Sequence, residues 1–307
     1  MKLIKTKLKE NKMLYKIYLR NKLKKAKKIG DKRKKMNIEE MKKVIDNEYK
    51  ERINENINWN HPKKYTELIQ WNKLNNIDPR KTNYSDKILV RSYVEETIGD
   101  EYLIPMIGAW NDFNEINFNQ LPSSFVLKTN HGSGTNIIVK NKRDLDLDIA
   151  RIKLEGWMDI DYGYIHGFEL HYSDIKRKIF AEEFIDTQGK ELEDYKFLCF
   201  NGVPYYCWVD VDRFGDHRRN IYDLNWNLQP WIQTYPNTDN ALPKPQNWTL
   251  MVELAEKLAS DFPHVRVDLY NVEGEIYFGE MTFTNGCGYE IIHPRKYDTH
   301  LGDLWID

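Results

Sequence analysis

Residues 125–136, FVLKTNHGSGTN, join an apolar run to a glycine turn with a lysine at the junction. Phe125, Val126 and Leu127 have the pattern of a buried strand. Gly132 and Gly134 let backbone N–H groups approach an anion closely, and Ser133, Thr135 and Asn136 add donors. Lys128 brings a positive charge to the same turn, which completes the outline of a phosphate site. A second apolar run, residues 137–140, follows at once, so the glycines sit at the tip of a hairpin. The Walker and dinucleotide-binding patterns are excluded, because both need a helix after the glycines. Near the C-terminus, VRVDLY and IYFGEMTF read as two strands around a turn at 271–274. Alternation puts Arg266 with Asp268, and Glu280 with Thr282. Charged groups among apolar neighbours are costly to bury unless they are paired or hold a cation. Two hard oxygen ligands on neighbouring strands suit Mg²⁺ shared with phosphate oxygens. Their convergence depends on strand register, which spacing leaves open; an Arg–Asp pair on a solvated face is the plainer alternative.

Several elements must position these groups. Residues 37–75 are helical in pattern, with Pro62 as a first-turn residue, and residues 85–94 read as a helix capped by Ser85 and ended at Gly99. Residues 102–107 read as a short strand. After the glycine hairpin a helix is expected from Asp144 to about Met158, then a strand at 177–185 that carries Glu182 and Glu183. Asn201-Gly202 between alternating apolar runs signals a hairpin. A loop with Arg213, Arg218 and Arg219 follows, and residues 248–262 form the clearest amphipathic helix. The expected division is a basic arm (1–36), a mostly helical region (37–120), a small α+β lobe with the glycine hairpin (121–190) and a C-terminal lobe with the metal site (191–307).

The chain has 307 residues and a net charge of −1, which hides an asymmetry: residues 1–36 hold 16 Lys+Arg against Glu10 and Asp31, a local balance of +14. Such a stretch suits an anionic membrane surface, a nucleic acid or an acidic partner. The loose helical spacing of Leu3, Ile4, Leu8, Leu14, Ile17, Tyr18 and Leu23 favours membrane or protein over nucleic acid. No run approaches the ~20 apolar residues of a membrane span, and the first residues lack a signal-peptide core, so a cytoplasmic location is expected. Cys199, Cys207 and Cys287 have no zinc-type spacing and are expected to be structural thiols.

The ordered series FVLKTNHGSG, FAEEFID, DYKF, VRVDLY and EIYFGEMTF resembles the ATP-grasp superfamily, and within it the TupA-like branch associated with teichuronopeptide and capsular polysaccharide synthesis. The likeness runs from about Trp59 to the C-terminus. It implies an α+β fold, with ATP held between two α+β lobes after a helical N-terminal region. It also implies ATP and Mg²⁺ as cofactors, and activation of a substrate carboxylate as an acyl phosphate that an amine attacks. The carboxylate partner implied is a uronic-acid saccharide and the amine an amino acid or similar small molecule. Carried over residue by residue, Lys128 matches the phosphate lysine, and His131, Gly132, Ser133, Gly134 and Thr135 the closing glycine loop. Glu182 and Glu183 match the hinge that takes ribose and adenine, while Lys87 and Lys196 are further nucleotide contacts. Asp268 and Glu280 match the metal carboxylates. Thr282 stands where an asparagine is usual, and Asn285 is a substitute candidate. Arg213, Arg219 and Arg266, with Arg218 beside them, are candidates for steadying the transferred phosphoryl.

Asp210-Val211-Asp212 at the end of an apolar strand also resembles the DxD metal site of nucleotide-sugar glycosyltransferases. That reading lacks the long nucleotide-binding α/β half that should precede the triplet.

Overall fold

The computed structural model describes residues 11–76, 78–189, 192–212 and 215–306. In chain order the elements are α1 (Lys12–Arg33), α2 (Ile38–Ile53), α3 (Tyr65–Asn75), α4 (Pro79–Ser85), α5 (Val90–Ile98), β1 (Met106–Trp110), β2 (Phe125–Thr129), β3 (Asn136–Val139), α6 (Leu147–Met158) and α7 (Tyr162–Ile165). There follow β4 (Ile179–Glu183), β5 (Glu193–Phe200), β6 (Val203–Val211), β7 (Arg218–Asp223), β8 (Ile232–Gln233), α8 (Trp248–Ala259), β9 (His264–Val272), β10 (Glu275–Thr282), β11 (Ile292–His293) and α9 (Lys296–Ile306). Contacts group the chain into two units, Met1–Met41 with Pro105–Ile185, and Lys42–Ile104 with Asp186–Asp307. The basic N-terminal helix thus groups with the glycine hairpin, and residues 42–104 group with the C-terminal sheet.

In the first unit an antiparallel sheet has the order β1-β4-β2-β3. Alternation turns Phe125, Leu127, Ile179 and Ala181 to one face, where Ala150 and Leu154 of α6 cover them. Lys128 and Glu182 project from the other. Helix α6 starts at Leu147, later than expected, because Asp146 caps it by accepting the Ile149 N–H at 3.1 Å. The strand expected at 102–107 is β1, displaced toward the C-terminus by a 3₁₀ turn at Asp100–Tyr102.

Helix α1 is capped by Asn11, which accepts the Leu14 N–H at 3.1 Å. It packs on α6 and α7 with Leu19 and Gly30 buried. One flank is matched by aspartates: Lys12–Asp146 3.2 Å, Lys16–Asp148 2.7 Å, Lys27–Asp159 2.5 Å and Lys34–Asp161 3.1 Å. Arg33 donates to the carbonyls of Tyr164 and Ile165. Over residues 12–33 the basic stretch is a helix packed within its own unit, its charge partly neutralised there. Residues 1–10 lie outside the described part.

In the second unit the five-stranded antiparallel sheet runs β10-β9-β5-β6-β7. One face carries Tyr195, Phe197, Cys199, Val265, Val267 and Leu269 against Met251, Leu254 and Leu258 of α8. On the other, Leu198, Phe200, Trp208 and Ile221 pack with Tyr65, Ile69, Trp231 and Leu301. Asn201 and Gly202 take φ of 49° and 81°, as an Asn-Gly hairpin turn requires. Some expectations are corrected. Ser85 ends α4 and does not cap the next helix; Leu89 stands at that helix's N-cap with no side-chain hydrogen bond, and the Asp86 carboxylate holds the turn before it, accepting the N–H groups of Ile88 at 2.8 Å and Leu89 at 3.3 Å. Pro62 precedes α3, which begins at Tyr65. Arg218 and Arg219 belong to β7 and not to a loop. Helix α9 lies beyond the sequence reading, which ends with β10.

Candidate functional site

The polar half of the five-stranded sheet gathers the chemistry. Asp268 sits directly opposite Glu280, and Arg266 opposite Thr282. Simple alternation does not predict this, because Ile276, Phe278 and Glu280 share a parity and the first two are in the apolar core. A bulge between Phe278 and Glu280 inserts one residue and re-aims Glu280 to the polar face, after which Met281 and Phe283 return to the core. Gly279 occupies the bulge, where a Cβ would stand 3.0 Å from the carbonyl oxygen of Asp268.

Arg266 is the hub. Its guanidinium donates to both oxygens of Asp268 at 2.7 Å, to Glu280 Oε1 at 3.0 Å and to Asn285 Oδ1 at 2.6 Å. Thr282 donates its hydroxyl to Glu280 Oε1 at 3.0 Å. Lys87, in the turn held by Asp86, lies 3.9 Å from Glu280 Oε2. Lys196 reaches in from β5, bonded to Asp194 and 3.7 Å from both Asp210 and Asp268. Arg219 holds Asp210 at 2.7 and 3.3 Å and Glu290 at 2.8 Å. Burial pushes the Asp268 carboxyl upward, assisted by Asp194 and Glu280 and opposed by Arg266 and Lys196. For Glu280 burial acts in the same sense, but Lys87 and Arg266 outweigh it and hold the carboxyl below its usual value. Asp210 is likewise held low against burial, chiefly by Arg219.

In the first unit, Lys128 and Glu182 form an ion pair on the sheet face away from α6. The tip of the β2–β3 hairpin is closed by the Thr129 N–H donating to the Thr135 carbonyl at 3.1 Å. The hydroxyls of Thr129 and Thr135 both donate to the His131 carbonyl. Gly132 is fixed by close approach: at its φ of 76° a Cβ would stand 2.4 Å from the Tyr162 ring. Gly134, at φ 71°, has nothing within 4 Å of such an atom, and Ser133 beside it is exposed. That exposed half of the turn is the part able to meet an anion.

Of the residues expected from the sequence, Lys87, Lys196, Arg266, Asp268, Glu280 and Thr282 come together in one cluster, with Arg219 joined to it through Asp210. Lys128 and Glu182 come together in the other unit. His131 does not present its ring to the turn: it is buried, and Nε2 donates to the Trp157 carbonyl at 3.1 Å. Glu183 is exposed at the end of β4. Arg213 lies outside the described residues, and Arg218 pairs with Asp216 at 2.7 Å on the surface. Thr282 serves Glu280 as a donor. The DxD reading fails on geometry: Asp210 is buried against Arg219, while Asp212 is exposed and accepts the Asp216 N–H at 2.6 Å. Asp194 and Glu290 were not foreseen. Asp194 was legible, since it shares a strand face with Lys196; Glu290 lies in a loop and gives no signal.

Among the described residues no three His, Cys, Asp or Glu side chains form a metal cage. The donors that do converge are Asp268, Glu280 and the Asn285 amide oxygen, all hard oxygens gathered around one guanidinium. That set fits Mg²⁺, which is commonly held by one or two carboxylates and completes its shell with water and phosphate oxygens.

A search of curated proteins finds no match. Solved structures with partial likeness include D-alanine–D-alanine ligase from Helicobacter pylori (18% identity, TM-score 0.37, covering 73% of this chain and 60% of that one). The D-alanine–D-alanine ligase from Bacillus anthracis complexed with ATP is similar at 15% identity and TM-score 0.41, covering 73% and 64%. The ATP-grasp ligase PsnB complexed with minimal precursor, Mg and ADP is similar at 14% and 0.40, covering 79% and 65%. The chain therefore spans less than two thirds of the length of each. The family model described as TupA-like ATPgrasp matches residues 67–306, most of the chain and all of the C-terminal sheet that carries the cluster. The chain belongs to the TupA-like ATP-grasp family.

Proposed function

We propose that the protein is an ATP-dependent carboxylate–amine ligase. The observation that carries this reading is the bulge-set register that puts Asp268 opposite Glu280 beside Lys196 and Arg266. Asp268 and Glu280, with Asn285 Oδ1, are assigned to Mg²⁺, which when bound screens phosphate charge. In the second unit Lys196, Lys87 and Arg266 are assigned to phosphate oxygens; in the first unit Lys128 and the exposed half of the glycine turn are assigned to phosphate binding, and Glu182 to the ribose hydroxyls. A substrate carboxylate oxygen attacks the γ-phosphorus and ADP leaves; the amine then attacks the acyl carbon and inorganic phosphate leaves. Positive charge preorganised where phosphate charge shifts is the protein's contribution to that step. The substrates proposed are a uronic acid of a cell-surface polysaccharide or its precursor, and an amino acid or similar amine. This rests on the TupA-like branch. With a uronic-acid saccharide and no amine, hydroxylamine is expected to trap a hydroxamate as ADP forms. ADP formation without hydroxamate, or turnover of a nucleotide sugar in place of ATP, would refute the ligase.

We also propose peripheral attachment to an anionic membrane at its cytoplasmic face through α1. Among the described residues no helix is long and apolar enough to cross a membrane. The outward stripe of α1 bears Lys24, Lys25, Lys28 and Lys32, continued by Lys35 just past its end, with Leu14 and Ile17 exposed at the other end. Each lysine near such a surface contributes about 1 kcal/mol, screened over ~8 Å at physiological salt. The protein is expected to co-sediment with phosphatidylglycerol vesicles at low salt, to detach at high salt, and to lose binding when these five lysines become glutamate. Equal sedimentation of both proteins, or of neither, would remove the membrane role.

A further inference from the structure

His217 immediately precedes β7 in the second unit and has no part in the ATP and Mg²⁺ assignments, yet it is bonded to the cluster that carries them. Its Nε2 lies 3.1 Å from Asp210 Oδ1. Burial opposes the charge on Asp210, but Arg219 and Lys196 outweigh it and hold the carboxyl well below its usual value. Asp210 is therefore an acceptor only, so in the neutral imidazole Nε2 carries the proton and Nδ1 the lone pair. Nδ1 makes no hydrogen bond among the described residues. The ring is also held on its face: Tyr235 stacks on it with centroids 3.7 Å apart, and the Arg219 guanidinium lies 5.1 Å from the centroid of the same Tyr235 ring. The side chain keeps 20% of its surface exposed.

A buried carboxylate that fixes one ring nitrogen leaves the other aimed and free to take a proton, which makes such an imidazole a directed base. The pair joins the proposed reaction centre through Lys196, whose ammonium is 3.7 Å from both Asp210 and the assigned metal carboxylate Asp268. One strand, β5, separates β6 from β9, so Asp210 and Asp268 stand about 10 Å apart along the sheet by the usual strand spacing, a span that accommodates a phosphoryl group and the acyl carbon beyond it. The amine step needs a base there. The amine forms the C–N bond with its lone pair, the C–O bond to phosphate breaks and phosphate leaves with that electron pair, and the nitrogen, now positively charged, must shed a proton. We propose that His217 Nδ1 accepts this proton while Asp210 holds the ring, and that the amine is received at the β6–β7 end of the polar half of the sheet. The proposal rests on the ligase reading and supplies its second step, for which the cationic lysines and arginines and the metal carboxylates offer no base.

The choice of nucleophile separates the two steps. Hydroxylamine is unprotonated at neutral pH and gives up its proton to water after attack, so it reports the acyl phosphate alone. The native chain, given ATP, Mg²⁺ and a glucuronate-terminated saccharide, is expected to form a hydroxamate with hydroxylamine and an amide with an equimolar mixture of the protein amino acids, both read by mass spectrometry. His217→Asn is expected to lower the amide rate at least about 100-fold, as loss of a general base does, while the hydroxamate rate changes by less than about threefold. The ring is partly exposed, so this variant keeps the fold. Equal loss of both products would make His217 a structural partner of Asp210, and undiminished amide formation would remove it from the reaction. A native chain that forms hydroxamate but no amide would overturn the amine step and spare the acyl phosphate; one that forms no hydroxamate would overturn the ligase reading and this step with it.

Discussion

Glu280→Gln is expected to lower Mg²⁺-dependent ADP formation by at least about 100-fold, about 2.7 kcal/mol of transition-state stabilisation, while the protein melts within a few degrees of the native chain. The amide keeps the oxygen that accepts from Arg266 at 3.0 Å and from Thr282 at 3.0 Å. Arg266 keeps its two-point pair with Asp268, so no buried cation is stranded. What is lost is the negative charge, and a cation held by only two carboxylates depends on both. The Mg²⁺ concentration for half-maximal rate should rise with the fall in rate. A folded Gln variant with native rate and native Mg²⁺ dependence would reduce Glu280 to a structural partner of Arg266.

Acid is expected to destabilise the second unit through His264. The ring is buried: Nδ1 donates to the Cys199 carbonyl at 2.9 Å, which leaves Nε2 to accept from the Tyr65 hydroxyl at 3.2 Å. Burial lowers its pKa from 6.5 to about 3, with Lys81 and Arg266 acting in the same direction and the Cys199 bond against. Below pH 6.5 the unfolded chain takes up a proton that the folded chain refuses, so the neutral ring's contribution is complete above that pH. It is lost as pH falls toward the folded value, at about 1.4 kcal/mol per pH unit. Across the interval this is on the order of 5 kcal/mol, a large share of a typical domain's stability. Urea unfolding at pH 7, 6, 5 and 4 should show that decline in the native chain, and a flatter profile in His264→Gln, whose amide offers similar hydrogen bonds without titrating. Parallel profiles would show that the imidazole is not the group responsible.

The strands and their turns were legible because their signals are local. Asn201-Gly202 announces its hairpin, and 125–139 announces another. The alternation in VRVDLY assigns Arg266 and Asp268 to a face opposite the core without any partner strand. The types of residue present, a lysine before a glycine turn and carboxylates in terminal strands, are what suggested the phosphate and magnesium chemistry proposed above. Register was not legible. Periodicity says nothing of which residue faces which, and in β10 it misleads, since only the bulge at Gly279 turns Glu280 away from Ile276 and Phe278 toward Asp268. The insertion of β5 between β9 and β6 brings Lys196 among carboxylates from three strands, through pairings between residues some seventy positions apart in one case. The docking of α1 is of the same kind. Its lysines read as one basic stretch until α6 and α7 divide them into an aspartate-paired flank and an outward stripe. Composition determined that these charges and apolar groups exist; long-range contacts, which leave no local trace in the sequence, decided what each of them meets.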